Sequence, residues 1–499
     1  MNFSTKDLNH LKQLGIDPAK AARQICLLRT GQVANKLERP CVAGDGIIQI
    51  RPQAHARLNG AFEKASAAGR LLHFVPASGA ASRMFRQLRK ARAGESGRQS
   101  DPELQRFLEN LDKFAFYTDL QKTMAEAGQD LARAVADRDL SLITSYLLDP
   151  CGLSYAHLPK GLLAFHKAAD GARTPFIEHL AEAALLSGLD SNVDLHFTVS
   201  PEHLPLFRAQ LSAWLKTLEE TYGCHFRVTY SEQKPSTGTL VLDDSGQPMR
   251  DTNGQLLLRH GGHGALVENL NDLAADILLV RNIDNVVPDA RKQTNLTWTR
   301  LLTGYLLEIQ EEQHGLLRAL QNQPDDPMTR ELVISFLADR LQTEISLTSD
   351  SKTLIKTLDR PIRVCGMVPN SGEPGGGPFW VRDEQGRITK QIVETAQIDK
   401  SDPGQAAILS NATHFNPVDM VCGVQDWQGR PYDLTRFVND DAVIITTKHQ
   451  GDRDLRVLEL PGLWNGGMSG WHTLFVEIPT EAFNPVKTVF DLLRPAHQP

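Results

Sequence analysis

The sequence predicts an α/β protein with a mixed, mostly parallel sheet and helices on both faces. Three observations lead there. The apolar run Leu71–Pro76 reads as a buried strand that passes through a turn of small residues into a helical pattern over Ser82–Lys90. Further on, Asp194–Val199, a helix near Pro201–Tyr222, His225–Tyr230 and the apolar run Asp276–Arg281 alternate strand with helix, as parallel sheets require. The bulk numbers agree: 499 residues, 41% hydrophobic and 23% charged, suffice for two or three domains with sizeable cores.

Taken in order, residues 1–70 read as helical and polar, with apolar spacing at Leu8, Leu11, Leu14 and Ile16. A nucleotide-binding α/β domain is expected over 71–300. It carries a helical insertion at 101–148, where Leu104, Leu108, Leu111 and Phe114 recur at three and four. A polar spacer near Gly94–Asp101 precedes that insertion. Residues 301–360 read as a helical segment, and 361–499 as α/β completion with a smaller α+β C-terminal region. Boundaries are expected near 300 and 360.

A net charge of -7 argues against a nucleic-acid partner, although Arg83–Arg92 forms a local basic patch. No run approaches a membrane span and no signal peptide is visible, so the expected location is the cytoplasm. The six cysteines are widely spaced without a C-x-x-C pair, which fits structural thiols rather than a zinc site. The P-loop, G-x-S-x-G and H-E-x-x-H patterns are absent, which sets aside P-loop kinases, esterases and common zinc proteases.

Four segments carry chemistry. In Ala77–Arg83, small residues allow backbone N–H groups to approach a phosphate, and Arg83 can clamp its oxygens; an ordinary tight turn fits the small residues equally well. In Leu158–Phe165, Lys160 follows a proline and can neutralise a transferring phosphoryl group, though a surface role is the commoner fate of a lysine. In Arg259–Leu266 the glycines allow close passage of the chain by a base or sugar, while His263 is either a base or a histidine bonded to backbone. In Asn282–Asn285, Asp284 ends an apolar strand where Mg²⁺ could be held beside phosphates, or else it caps a helix.

In this order the segments resemble the UDP-sugar pyrophosphorylase group of nucleotidyltransferases. The family's G-G-x-G-T-R, P-K-G, G-H-G and N-x-D-N motifs are matched by Ser78-Gly-Ala-Ala-Ser-Arg83, Pro159-Lys-Gly161, Gly262-His-Gly264 and Asn282-Ile-Asp-Asn285. Ser231–Pro235, Gln391–Thr395 and Asn411–Phe415 look like its pyrimidine-reading and sugar-binding segments. The whole chain looks closest to a bacterial family designated domain of unknown function 4301, through PASGAASRMF, GGHGALVENLND, NIDNVVPD, GEPGGGPFW and LELPGLWNGGM.

The resemblance implies a GT-A-like, Rossmann-like fold and a Mg²⁺-dependent reaction. A sugar 1-phosphate would attack the α-phosphorus of a nucleoside triphosphate and release pyrophosphate. By carry-over Arg83 and Lys160 are catalytic; Ser78, Gly79, Ala80, Ala81 and Ser82 hold the triphosphate. Gln233, Gly262, His263 and Gly264 frame base and sugar; Asn282, Glu394 and Asn411 touch the sugar; Asp284 holds Mg²⁺. Ser78 and Ala81 stand where the family has glycines, and its final phosphate-binding lysine has only Lys448 as a counterpart. Two other readings stay open: a non-catalytic nucleotide-sugar-binding protein, and a glycosyltransferase, which would need a D-x-D pair. Outside the resemblance, Glu373 with Trp380, and likewise Trp464, either receive a sugar ring or belong to surface turns.

Overall fold

A computed structural model gives the architecture of residues 3–31, 34–93, 101–370, 372, 375–450 and 453–499, with the side chains of Ser82, Ala93, His449, Gln450 and Arg453 outside the description. The chain is α/β and divides into two compact units, 1–72 with 231–280 and 299–480, and 73–230 with 281–298 and 481–499.

In the first unit, strands Val42–Ala43, Gly46–Ile48, His472–Glu477, Ile362–Pro369, His414–Gly423 and Ile277–Arg281 lie side by side in that order. Ile362–Pro369 runs parallel to His472–Glu477 and antiparallel to His414–Gly423, so the sheet is mixed. These strands are buried along nearly their whole length, and the burial takes in polar Arg363, Asn416 and Asp419 as well as the apolar residues. A four-stranded antiparallel sheet joins Leu258–Arg259, Thr239–Leu242, Arg453–Glu459 and Ile444–Gln450. Against it pack helices Thr5–Gln13 and Pro18–Thr30, whose apolar faces (Leu11, Ala21, Ile25, Leu28) meet Leu240, Leu242 and Leu458. Ser4 caps the first helix in a capping box with Asp7, and Asp17 caps the second.

The helical reading of 1–70 needs correction. Lys36–Pro40, Val42–Ala43 and Gly46–Ile48 are strands, the first paired antiparallel with Gly376–Arg382. Gly44 and Gly46 take positive φ here, a conformation no helix permits.

In the second unit, strands Leu71–Pro76, Asn192–Thr198 and His225–Ser231 are neighbours, with helices Pro175–Ser187 and Leu204–Tyr222 contributing to one core around Phe176, Phe197 and Phe207. A second core gathers the short helices Pro102–Glu109, Tyr117–Glu126, Leu131–Ala136 and Leu140–Leu148. It also takes in Val486, Val489, Phe490 and Leu492 from the far end of the chain. The spacer expected at Gly94–Asp101 lies, except for Asp101, outside the described residues. Among the described residues no helix is long and apolar enough to cross a membrane.

Candidate active site

The strand Leu71–Pro76 delivers Ala77, whose N–H donates to the Thr198 carbonyl at 2.8 Å. Ser78, Gly79 and Ala80 follow as exposed backbone. A Cβ at Gly79 would meet nothing within 4 Å, so the space above this backbone is open. Ala81, expected to hold the triphosphate, is instead fully buried in the helical core, and its N–H donates to the Leu158 carbonyl at 3.4 Å. Arg83 is exposed at the end of the short turn Ala81–Arg83; the Ser82 side chain is not described.

This loop runs alongside the Pro159–Gly161 motif. Lys160 N–H donates to the Gly79 carbonyl at 3.1 Å, and Ala80 forms a bridge with Pro159. Gly161 explains the motif's last position: a Cβ there would lie 3.1–3.3 Å from Phe207 and Ile283 side-chain atoms. Lacking one, the turn seats itself on Ile283 and aims Lys160 at the next residue, Asp284.

Lys160 Nζ donates to Asp284 Oδ2 at 2.7 Å and to the Val486 carbonyl at 2.8 Å. Lys487 Nζ donates to the same Oδ2 at 3.3 Å. The Asp284 and Lys160 side chains are 9% and 14% exposed, against 54% for Lys487. Burial pushes the Asp284 carboxyl up, but the two ammonium groups pull harder and hold it below the ordinary carboxylate range. Two cations on one buried carboxylate leave a net positive charge beside open backbone, an arrangement suited to phosphate. Asp284 therefore pairs with lysines through Oδ2 rather than capping a helix.

The loop bearing Asp284 is tied to the segment that supplies Lys487. Val486 N–H donates to the Asp284 carbonyl at 3.1 Å, and Asn484 N–H to Asn285 Oδ1 at 2.8 Å. Lys487 was missed because a lone lysine in Pro485–Thr488 carries no motif. Lys448 is exposed on the strand Ile444–Gln450, which belongs to the first unit.

A single carboxylate fits Mg²⁺ in the mode that completes its shell from water and phosphate oxygens. Among the described residues no group of three or more acidic, histidine or cysteine side chains is poised to hold a metal.

Of the other residues named from sequence, Asn282 is half-buried two positions before Asp284. Gln233, Gly262–Gly264, Glu394 and Asn411 belong to the first unit. Gln233 Nε2 donates to Thr237 Oγ1 at 3.2 Å. Cβ atoms at Gly261 and Gly264 would lie 2.6 Å from the Thr237 carbonyl oxygen and 2.2 Å from that of Pro461, so these glycines admit the chain's own backbone. His263 Nδ1 accepts from Leu463 N–H at 3.1 Å, and its ring stacks on Trp464 with centroids 4.2 Å apart. Burial pushes the His263 pKa down to about 4, leaving a neutral ring bonded to backbone. Glu394 caps the turn Thr395–Gln397, and Asn411 ends the helix Pro403–Ser410 at the surface.

Trp380 offers no open face of the kind the sequence allowed, and one face of Trp464 is taken by His263. Trp380 is 6% exposed, with the Arg39 guanidinium 4.7 Å and the Lys390 ammonium 5.7 Å from its ring centroid. Trp464 stacks on His263, and Glu373 lies outside the described residues.

Residues 4–498 match the model of a family described as Domain of unknown function (DUF4301). The chain belongs to that family. A search among curated proteins finds no match to this DUF4301 chain. Among solved structures it is similar to a Trypanosoma brucei uridine diphosphate N-acetylglucosamine pyrophosphorylase in complex with inhibitor. That similarity is at 12% identity, covering 98% of this chain and 79% of the other, with a TM-score of 0.48. A Trypanosoma brucei UDP-glucose phosphorylase matches at 12% identity, 99% and 81% coverage and a TM-score of 0.45. A Leishmania major UDP-glucose pyrophosphorylase matches at 12%, 99% and 79%, and 0.44. Likeness at that level says nothing of individual residues.

Proposed function

We propose that this DUF4301 chain is a nucleotidyltransferase that joins a nucleoside triphosphate to a sugar 1-phosphate and releases pyrophosphate. The observation that carries the reading is the pairing of Lys160 and Lys487 on buried Asp284, with Lys160's backbone bonded to the open loop at Gly79. The motif order Ser78–Arg83, Pro159–Gly161 and Asn282–Asn285 supports it.

Phosphoryl and nucleotidyl transfer ask the protein mainly for positioning and charge neutralisation. The exposed loop Ser78–Ala80 would receive the triphosphate on backbone N–H groups, with Arg83 at its edge. Lys160 would turn from Asp284 to the α-phosphate, where negative charge builds as the sugar phosphate oxygen attacks. Lys487 would balance the departing pyrophosphate. Asp284, freed of its lysines, would hold Mg²⁺, which supplies further neutralisation of phosphate charge. Asn282, beside it in sequence, is the candidate for the sugar.

The test is a matrix of nucleoside triphosphates against sugar 1-phosphates with Mg²⁺, read by pyrophosphate release. One pair should turn over, and Lys160→Met should slow it about 100-fold or more, the scale of losing one preorganised electrostatic partner. Tight nucleotide-sugar binding with no exchange of labelled pyrophosphate would instead establish a binding protein. The replacement of family glycines at Ser78 and Ala81 favours keeping that second reading.

A further inference from the structure

We propose that Glu178 and Glu182 are positioning residues that clamp both ends of the loop carrying Asp284. Helix Pro175–Ser187 is buried without a break from Pro175 to Ala184, yet it carries two carboxylates four residues apart, on one face. Glu182 is ion-paired with Arg281, three residues before Asp284; Glu178 is ion-paired with Lys292, eight residues after it. All four side chains are 4% exposed or less. Lys292 also donates to the Val287 carbonyl at 2.7 Å and to Asp289 Oδ1 at 3.0 Å, fastening the exit of the loop. Between the two carboxylates, His179 lies against the Asn282 and Ile283 backbone.

Stability does not explain this arrangement. A buried ion pair seldom outperforms well-packed apolar residues of the same volume, because each charge must be stripped of water. What two buried pairs on adjacent helical turns do provide is a fixed distance between the loop's ends. Glu178 is kept ionised for the purpose: burial opposes its charge, and His166 and Lys292 more than offset that opposition. The clamp rests on the proposed function only for the meaning of Asp284, so its test reads geometry rather than turnover.

The experiment measures acetylation of lysines in the folded full chain by mass spectrometry. Lys160 should label slowly, Lys216 at 87% exposure rapidly, and buried Lys390 serves as the alarm for global unfolding. In Glu182→Leu/Arg281→Met, which removes both charges together, Lys160 should label about 5-fold faster or more while Lys390 stays protected. Arg281→Lys, keeping the pair, should restore the wild-type rate. Glu178→Gln repeats the reading at the loop's other end should the double variant not fold. Unchanged Lys160 labelling in a folded variant overturns the clamp. Faster labelling in a chain that never releases pyrophosphate overturns the proposed reaction alone.

Discussion

At Asp284 two lysines converge, and they differ in what their loss should do. Lys487 is 54% exposed, so Lys487→Ala leaves little buried charge uncompensated and should barely alter the melting temperature. Its effect should fall on pyrophosphate release, by roughly tenfold or more, as expected for one charge contact in a preorganised site. Lys448→Ala should change neither quantity. Equal losses at both lysines, or none at Lys487, would remove Lys487 from the site. Asp284→Asn is harsher, because buried Lys160 loses its counter-charge and keeps only neutral carbonyl acceptors, at a cost of about 3 kcal/mol. Lys160 and Asp284 were legible in sequence because each sits in an ordered short motif. Lys487 was not, since its importance comes from Val486 and Asn484 bonding to the Asp284 loop across nearly two hundred residues.

At the scale of elements, two glycines, one in each unit, serve opposite ends. Gly79→Ala adds a methyl into open space and should leave the denaturant midpoint unchanged while weakening nucleotide binding, because the methyl stands where phosphate would approach. Gly264→Ala drives a methyl to within 2.2 Å of the Pro461 carbonyl oxygen and should cost about 1–3 kcal/mol of stability. Chemical denaturation of both variants checks this; a stable Gly264→Ala would mean that the Leu460–Pro461 backbone yields easily. The strand–turn–helix over 71–93 and the later alternation were readable because long apolar runs and helical periods span them. The strands of 36–48 were not, being two to five residues long and broken by Pro40, Gly44 and Gly46. The clamp helix did leave a trace, Glu178, His179 and Glu182 within an otherwise apolar Pro175–Leu186, but sequence does not name the partners of buried acids.

For the molecule as a whole, buried histidines set the response to acid. Burial holds His73, His179, His472 and His497 at about 3, well below the ordinary 6.5, with nearby cationic or histidine groups adding to the effect. The unfolded chain therefore binds more protons than the folded one between those values. The stability these neutral rings contribute is complete above about pH 6.5 and is lost as pH falls toward 3, at up to about 1.4 kcal/mol per pH unit for each. Urea midpoints should drop from pH 7.5 to pH 5; a flat profile over that range would contradict the neutral, buried assignment. The α/β class was legible from composition and alternation, whereas the discontinuous division into two units was not, because contacts between distant segments leave no local pattern. That discontinuity has a consequence for synthesis. Gly79, Lys160 and Asp284 leave the ribosome well before Lys487, so a nascent chain holds Lys160 and Asp284 as a pair of no net charge. The net positive charge arrives only when the later-made backbone of 484–487 pairs along the Asp284 loop.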